Sequence, residues 1–250
     1  MASCNNIIKK YHPDASIFFN WSTHMNNSNT FKYKLYEYNT SYDLEDLPTT
    51  WEGYNEFPLR AKYFSNMGKP VTGMSGKFHT AWGEFGGFKY PNALKYEAAS
   101  MIAFGANVNF GDQLHPSGII DRETYKNIGS AFSYVKNIEL YGPGGKHRAK
   151  TGLWMNFDNN TEQATSLLLL DTQTNYVVLN NLKDWSDLEV IVIPSKPNLK
   201  SDDIESLNQF VAEGGKLLVL GEGALKMDRS GFALDVGGTY LGKASYDVDY

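Results

Sequence analysis

Cysteine is almost absent from this sequence, with Cys4 as its only representative in 250 residues. A single thiol excludes disulfides within the chain and zinc sites built from several cysteines. Basic residues are also in the minority, with 23 Lys and Arg against 28 Asp and Glu and a net charge of −5. This balance argues against a nucleic-acid partner, which requires a basic face.

Long apolar runs are missing as well. No stretch approaches the ~20 apolar residues needed to cross a bilayer, so the sequence predicts no membrane partner. The opening residues, MASCNNIIKKYHPD, contain no signal-peptide core, which favours the cytoplasm over secretion.

Aromatic residues, in contrast, are plentiful, with 16 Tyr, 14 Phe and 5 Trp. Flat aromatic rings can stack on sugar rings, while amide and acid side chains bind the hydroxyl groups. The alternative interpretation is that the aromatic residues simply fill the core. Composition alone leaves both interpretations open.

The first half of the sequence alternates strand-like and helix-like patterns. Strands are predicted at 15–20, 40–48, 70–78 and 106–110, and helices at 4–11, 54–68, 91–105 and 121–138, with Asp121 as an N-cap. This order is typical of a parallel α/β architecture. Four strand–helix units amount to the second half of a (β/α)8 barrel, which we predict over residues 1–140.

The pattern changes after a glycine-rich stretch at 141–149, which we predict to be a linker. In residues 150–250 the segments LLLLDTQTNYVVLN, EVIVIP and KLLVLGEG predict short aliphatic strands. A helix is predicted over 201–213, with Ser201 or Asp202 as its N-cap. These elements indicate a flavodoxin-like α/β sandwich that is incomplete at Tyr250, so we expect the chain to be a piece of a longer protein.

Polar and aromatic side chains follow three consecutive predicted strands. The first group is Asp43, Glu45, Asp46 and Trp51, the second is His79, Trp82 and Glu84, and the third is Asp112, Gln113 and His115. Loops after parallel strands share one edge of the sheet, so the groups should converge there. Glycosidic cleavage needs two carboxyl groups, and burial near Trp51 and Trp82 would raise the pKa of the acid.

Alternation within the strand at 40–48 separates these carboxylates into two sets. Asp43 and Glu45 should share one face of the sheet, whereas Asp46 should lie with Leu44 on the other. The first pair is therefore the candidate for catalysis, and Asp46 is predicted to be structural.

Each candidate also has a structural interpretation. Asp43 or Asp46 could cap a loop, and Glu84 could pair with Lys77 or Lys89 at the surface. His79, Glu84, Asp112 and His115 could bind a metal ion, but their spacing matches no compact metal motif. We therefore predict neither a metal nor a cofactor, and we expect these side chains to bind sugar hydroxyls.

Several long segments resemble a known family. The runs TSYDLEDLPTTWEGYNEFPLRAKYF, FHTAWGEFGG and GDQLHP are similar to bacterial glycoside hydrolases related to α-L-fucosidases. Residues 151–250 resemble the β-galactosidase trimerisation domain, a module like class I glutamine amidotransferases. At the elbow where those amidotransferases carry a cysteine, this sequence reads Gly221-Glu222-Gly223-Ala224. Without a thiolate that chemistry cannot run, so this domain is expected to be structural.

The resemblance implies retaining hydrolysis of a glycoside, with an α-L-fucoside as the leading substrate. It also implies a nucleophilic Asp upstream of Met1, so this chain alone is expected to be inactive. Glu45 is then the first candidate for the acid/base residue and Asp43 the second. A β-galactosidase, or a non-catalytic sugar-binding or assembly module, remains the alternative, and the trimerisation-like domain implies a homo-oligomer, with a trimer as one option.

Overall fold

The computed structural model describes residues 1–25, 32–179, 184–196 and 198–245, apart from the side chains of Trp51, Glu52 and Asn159. The chain divides into two compact units, Met1–His147 and Arg148–Tyr250. Met1–His147 is the first unit and Arg148–Tyr250 is the second unit. No helix within the described residues is long and apolar enough to cross a membrane.

The first unit contains a parallel sheet in the order β1-β2-β3, with helices between the strands. The elements are α1 (Ala2–Tyr11), β1 (Tyr42–Glu45), α2 (Glu56–Ser65), β2 (Val71–Gly76), α3 (Pro91–Ala103), β3 (Asn107–Gly111) and α4 (Arg122–Ile138), with short helical turns at Leu35–Tyr38, Pro48–Glu52 and Glu139–Tyr141. The predicted parallel α/β class is therefore confirmed, as are the strands around 42–45, 71–76 and 107–111.

Helices cover one face of this sheet closely. Leu44 is fully buried, and a Cβ added to its neighbour Gly73 would lie 2.4 Å from the side chain of Met101 in α3. The last helix begins as predicted, because the side chain of Asp121 accepts hydrogen bonds from the backbone N–H groups of Glu123 and Thr124. Glycine in the strand thus allows α3 to pack directly on the backbone of β2.

The strand predicted at 15–20 is wrong. This segment forms no strand and is hydrogen-bonded to residues 39–40 instead of joining the sheet. The backbone N–H of Ile17 donates to Oγ1 of Thr40 at 2.8 Å, and that of Phe19 donates to Oδ1 of Asn39 at 3.1 Å. Side chains therefore satisfy backbone groups that a strand ladder would otherwise use.

The second unit contains a four-stranded parallel sheet in the order β5-β4-β6-β7. Its elements are β4 (Thr151–Leu153), α5 (Asn159–Asp171), β5 (Tyr176–Val178), β6 (Val190–Ile193), α6 (Ser201–Ala212) and β7 (Lys216–Val219). The core lies between α6 and the sheet, where Leu207 and Phe210 pack with Ile191 and Ile193.

Two predictions for the second unit are corrected. The leucine run of LLLLD belongs to α5, because Asp158 caps a helix that continues to Asp171, and only Tyr176–Val178 forms a strand. Helix α6 begins at Ser201 itself, so neither Ser201 nor Asp202 is its N-cap. Asp203 instead accepts a hydrogen bond from the backbone N–H of Lys200 at 2.9 Å.

Candidate active site

The three predicted groups of polar side chains follow the three strands of the first unit. Glu45 pairs with Met74 and Gly76 pairs with Gly111, so the parallel strands end at one common edge. The loops that begin there contain Asp46 after β1, His79, Trp82 and Glu84 after β2, and Asp112, Gln113 and His115 after β3. The structure thus brings the loops that hold the candidates to a single edge.

Asp43 and Glu45 lie on the sheet face that the helices leave open. Their partners in register are Thr72 and Met74, whereas the intervening Leu44 is fully buried against the helices. Both carboxylates are partly exposed. Burial raises the pKa of Asp43 above its usual value.

Asp46 has a different environment from these two residues. It is 4% exposed, and its Oδ1 accepts a hydrogen bond from Nη2 of the buried Arg60 at 3.2 Å. The same Nη2 donates to the backbone oxygen of Glu45 at 2.6 Å. Burial raises the pKa of Asp46 to about 6, although Arg60 opposes the shift. This ion pair fixes the end of β1, which agrees with a structural role for Asp46.

Glu45 contacts His24, which in turn contacts Trp21, and the sequence analysis singled out neither residue. Nε2 of His24 lies 3.2 Å from Oε2 of Glu45, and the buried His24 ring stacks on Trp21 with centroids 4.7 Å apart. The signal was present in the sequence, because NWSTH is a polar and aromatic cluster after the segment at 15–20.

The turn that carries Trp21 is firmly held. Trp21 has a φ of 65°, in the left-handed region that large side chains rarely adopt. Such a conformation costs on the order of 1–3 kcal/mol and persists only where surrounding contacts impose it. Here Nδ2 of Asn39 donates to Oγ of Ser22 at 2.7 Å, and Oγ1 of Thr23 donates to the backbone oxygen of Asp43 at 2.7 Å.

The loop after β2 is organised by Glu84. Its Oε2 accepts hydrogen bonds from the backbone N–H groups of His79 and Thr80, both at 2.8 Å. These bonds hold the pKa of Glu84 below its usual value. A Cβ at Gly87 would lie 2.8 Å from the Glu84 carboxylate, so the loop also closes tightly around it. The alternative pairing of Glu84 with Lys77 or Lys89 is not found.

Trp82 packs over the ends of two strands. Its ring lies edge-on to Phe78 with centroids 5.4 Å apart. A Cβ added to Gly76 or to Gly111 would come within 2.9 Å of the Trp82 ring. Glycine at the ends of β2 and β3 therefore makes room for this indole at the edge of the sheet.

A buried ion pair anchors the far end of the same loop. Nζ of Lys89 lies 2.9 Å from both carboxylate oxygens of Glu97 in α3 and 3.0 Å from Oγ of Ser75 in β2. The two charged side chains are at most 1% exposed. Burial lowers the pKa of Lys89, with Glu97 opposing the shift. The loop is thus fixed by Glu84 at its start and by Lys89 at its end.

The loop after β3 contacts the loop after β2. Asp112 lies 3.8 Å from Nζ of Lys77, with both side chains largely covered, and its Oδ1 accepts a hydrogen bond from the backbone N–H of Gln113 at 2.7 Å. His115 is exposed, and its ring lies edge-on to Phe85 with centroids 6.1 Å apart. Asp112 is therefore close to the sheet, whereas His115 lies at the outer rim.

Two further points of the sequence analysis concern Trp51 and a possible metal ion. Trp51 was predicted to bind substrate, and its side chain lies outside the described residues. For metal binding, no group of three or more His, Cys, Asp or Glu residues in the described ranges could hold an ion.

The equivalent edge of the second unit carries a tight glycine turn. Gly221 has a φ of 48°, and a Cβ there would lie 2.8 Å from Cβ of Ser195. Glu222 follows it and forms an exposed ion pair with Arg229 at 2.9 Å. The side chain at the elbow is thus an exposed carboxylate engaged by a surface arginine, which is not the environment of an activated nucleophile.

One buried carboxyl group lies near this edge. Glu162 in α5 is 1% exposed, and its Oε1 accepts a hydrogen bond from the backbone N–H of Asp158 at 3.3 Å. Burial raises the pKa of Glu162 to about 7 despite this and neighbouring backbone hydrogen bonds. This group fixes the start of α5 to the loop after β4.

Comparison with known structures relates the whole chain to sugar-cleaving enzymes. It is similar over 98% of its length to α-L-fucosidase isoenzyme 2 from Paenibacillus thiaminolyticus, with 32% identity and a TM-score of 0.89. The chain spans 38% of the length of that structure. No protein-family model and no curated protein sequence matches the chain.

More distant structures share the fold. A cold-adapted β-galactosidase from Rahnella sp. R3 is 14% identical, with 79% of this chain and 35% of that one covered and a TM-score of 0.61. A β-galactosidase from the psychrophilic Marinomonas ef1 is 10% identical, with 90% and 42% covered and a TM-score of 0.58. At these identities the likeness concerns the fold alone.

Proposed function

This chain is part of a glycoside hydrolase-like protein, and we propose that the complete protein is a retaining α-L-fucosidase to which this chain contributes one wall of the active site. The observation that carries the proposal is the pair Asp43 and Glu45 on the open face of β1, among the loops that hold Trp82 and Asp112. Structural similarity to an α-L-fucosidase at 32% identity supports the choice of substrate.

Glu45 is the proposed acid/base residue. It is the last residue of β1 and so lies nearest the edge where the loops begin, whereas Asp43 lies two residues, or about 6–7 Å, further along the strand. The contact with His24 and the bond from Arg60 to its backbone oxygen fix its position. Asp43 remains the second candidate, because burial favours its protonated form.

The chemistry requires a second carboxyl group. In retaining hydrolysis a nucleophile attacks the anomeric carbon while the acid donates a proton to the leaving oxygen, and the acid residue then activates water as a base. The two carboxyl groups lie about 5–5.5 Å apart in such enzymes. We propose that a part of the protein outside this chain supplies the nucleophile and that this chain alone is inactive.

The remaining side chains are proposed to form the sugar-binding surface. Trp82 at the ends of β2 and β3 offers an indole that excludes water from the reacting bond, and Asp112 offers acceptors for hydroxyl groups. Glu84 is proposed to shape the loop of His79, since its carboxylate already binds two backbone N–H groups. His115 at the outer rim belongs to the proposed set, and Trp51 is retained in it as a prediction from the sequence.

We also base a proposal for the domain architecture on the similarity to the α-L-fucosidase structure. The first unit would supply the second half of a (β/α)8 barrel, with the open face of its sheet turned toward the barrel interior. The strand order β5-β4-β6-β7 of the second unit agrees with the flavodoxin-like order 2-1-3-4. We propose that the second unit mediates assembly into a homo-oligomer, for which a trimer is one option.

The function is tested with the complete protein and a panel of nitrophenyl glycosides. Hydrolysis of the α-L-fucoside above all others is expected, with the product first released in the α configuration, as proton NMR of the early products would record. Preference for the β-D-galactoside would favour the β-galactosidase alternative. Binding of sugars without turnover of any glycoside would favour a non-catalytic module.

The assembly role is tested separately. Deleting residues 148–250 from the complete protein should reduce its molar mass by more than the deleted segment, as measured by light scattering, because the subunits separate. An unchanged number of subunits per particle contradicts the assembly role and leaves the proposed hydrolysis untouched.

A further inference from the structure

Trp21 is an exposed aromatic residue that stacks on His24, the side chain in contact with the proposed acid/base residue Glu45. Its side chain is 61% exposed. Its ring stacks on His24 with an interplanar angle of 28°, and His24 in turn lies 3.2 Å from the carboxylate of Glu45. Two contacts therefore connect the exposed indole to the proposed acid/base residue.

The backbone conformation at Trp21 keeps its side chain at the surface. The residue occupies the left-handed region, although its side chain is not buried in the core. The three residues that follow, Ser22, Thr23 and His24, are all at most 4% exposed. Asn39 holds Ser22, and the backbone of β1 holds Thr23. A strained conformation with a buried support and an exposed ring is typical of a functional position.

The chemistry of the surface suits a sugar ring. One face of a pyranose presents C–H groups, which pack on the flat face of an indole, while its hydroxyl groups remain available to carboxylates. The imidazole of His24 supports one face of Trp21, which orients the indole without covering all of it. The neighbouring Glu45 supplies the polar group that such a ring also requires.

We propose that Trp21 is the stacking platform for the sugar ring beside the bond that Glu45 protonates, and that His24 positions both side chains. This inference rests on the proposed glycoside hydrolysis, since it takes the substrate to be a sugar. It adds a binding residue and a positioning residue from the loop at 20–24, which precedes β1 in the chain.

The test measures sugar binding to the complete protein by calorimetry, with free L-fucose and free D-galactose as probes. Trp21→Ala and Trp21→Leu are each expected to weaken binding about tenfold, or ~1.4 kcal/mol, because stacking is lost in both. Trp21→Phe keeps an aromatic face, and its affinity for sugar should stay within about threefold of the wild type. Tyr141→Ala removes another exposed ring, which is 86% exposed in the helical turn after α4, and should leave sugar binding unchanged.

The outcomes separate this inference from the function on which it rests. Wild-type affinity in both Trp21→Ala and Trp21→Leu, with thermal unfolding unchanged, overturns the platform while hydrolysis stands. Equal losses in Trp21→Phe and Trp21→Ala also overturn it, since stacking would not be the cause. A wild-type protein that binds neither sugar and cleaves no glycoside overturns the proposed function, and the platform with it.

The role of His24 is tested by comparing sugar binding with turnover. In a positioning role for both side chains, His24→Gln should weaken binding of the free sugars as Trp21→Ala does. It should also lower kcat for substrates with poor leaving groups more than kcat for substrates with activated phenol leaving groups, because Trp21 and Glu45 each lose the imidazole that they contact. Wild-type affinity, or an unchanged ratio of the two kcat values, in a variant that unfolds at the wild-type temperature contradicts the positioning role.

Discussion

The two units share a parallel sheet with helices but differ in where they place their charges. Among the described residues, the first unit buries the pairs Arg60–Asp46 and Lys89–Glu97, whose side chains are at most 6% exposed. Pairs in the second unit, such as Lys150–Glu189 and Arg148–Asp187, lie at the surface with every side chain more than 60% exposed. Buried pairs are costly to form and strongly destabilising to break, whereas surface pairs contribute little.

This difference coincides with the position of the candidate site. Arg60 fixes the end of β1 beside Glu45, and Lys89 fixes the loop after β2 that contains Trp82. The corresponding edge of the second unit has a glycine turn and the exposed Glu222. Buried charge is thus concentrated where loops need a defined geometry, and three predictions test this comparison.

The largest effect is expected from breaking the buried pair of the first unit. Lys89→Met leaves the Glu97 carboxylate buried without its cation and should lower the free energy of unfolding by about 3–5 kcal/mol. Denaturant unfolding measures this loss in the free energy of unfolding. The matched substitution Lys150→Met removes an exposed partner of Glu189 and should lower the free energy of unfolding far less, because solvent screens an exposed pair. Similar losses in the two variants would remove the distinction between the units.

Turnover should likewise depend on a carboxylate of the first unit and not on one of the second. Glu45→Gln in the complete protein should lower turnover of substrates with poor leaving groups about 100-fold, because no proton reaches the leaving oxygen. Substrates with activated phenol leaving groups should lose much less, since they need little protonation. Steady-state kinetics on both substrate types gives the ratio.

Glu222→Gln is the matched control for this variant, because it changes an exposed glutamate at the edge of the second sheet. It should retain wild-type turnover. Equal losses of Glu45→Gln on both substrate types, or none, would reassign the acid/base role to Asp43 or Glu84. A large loss in Glu222→Gln would contradict the assignment of chemistry to the first unit.

The smallest expected effect concerns Glu162, whose carboxyl group is buried in α5 of the second unit. Folding raises the pKa of Glu162 to about 7, so the folded state binds the proton more tightly than the unfolded state. The stability of this unit should therefore be greatest below about pH 4.3 for this group, fall as the pH rises toward 7, and level off above it. Between pH 5 and pH 7.5 the expected change in the free energy of unfolding is about 2 kcal/mol.

Glu162→Gln mimics the protonated form and should flatten this dependence. Amide hydrogen exchange in α5, compared at pH 5 and pH 7.5 after correction for intrinsic rates, reports it for the second unit alone. An unchanged slope in the variant would assign the pH dependence to another group.

The boundaries of these elements show how far local sequence information extends. Strands β2 and β3 and helices α3 and α4 were predicted within a few residues, because Pro91, Gly105 and Asp121 mark helix ends by their own backbone chemistry. The leucine run in α5 was mistaken for a strand, since a short apolar run fits a buried helix equally well. The segment at 15–20 failed because the side chains of Asn39 and Thr40 take its hydrogen bonds, which no local pattern reveals.

The sequence alone is enough to predict the parallel α/β class, the strand ends that carry polar residues and the separation of Asp43 and Glu45 from Asp46. These features depend on periodicity and on which edge parallel strands share, and both are local properties of the chain. Three contacts become visible only in the folded chain: His24 lies between Trp21 and Glu45, Glu84 binds its own loop, and Lys89 is buried against Glu97. Those contacts depend on how loops and helices meet across the sheet, and nothing in the spacing of the residues specifies the partners.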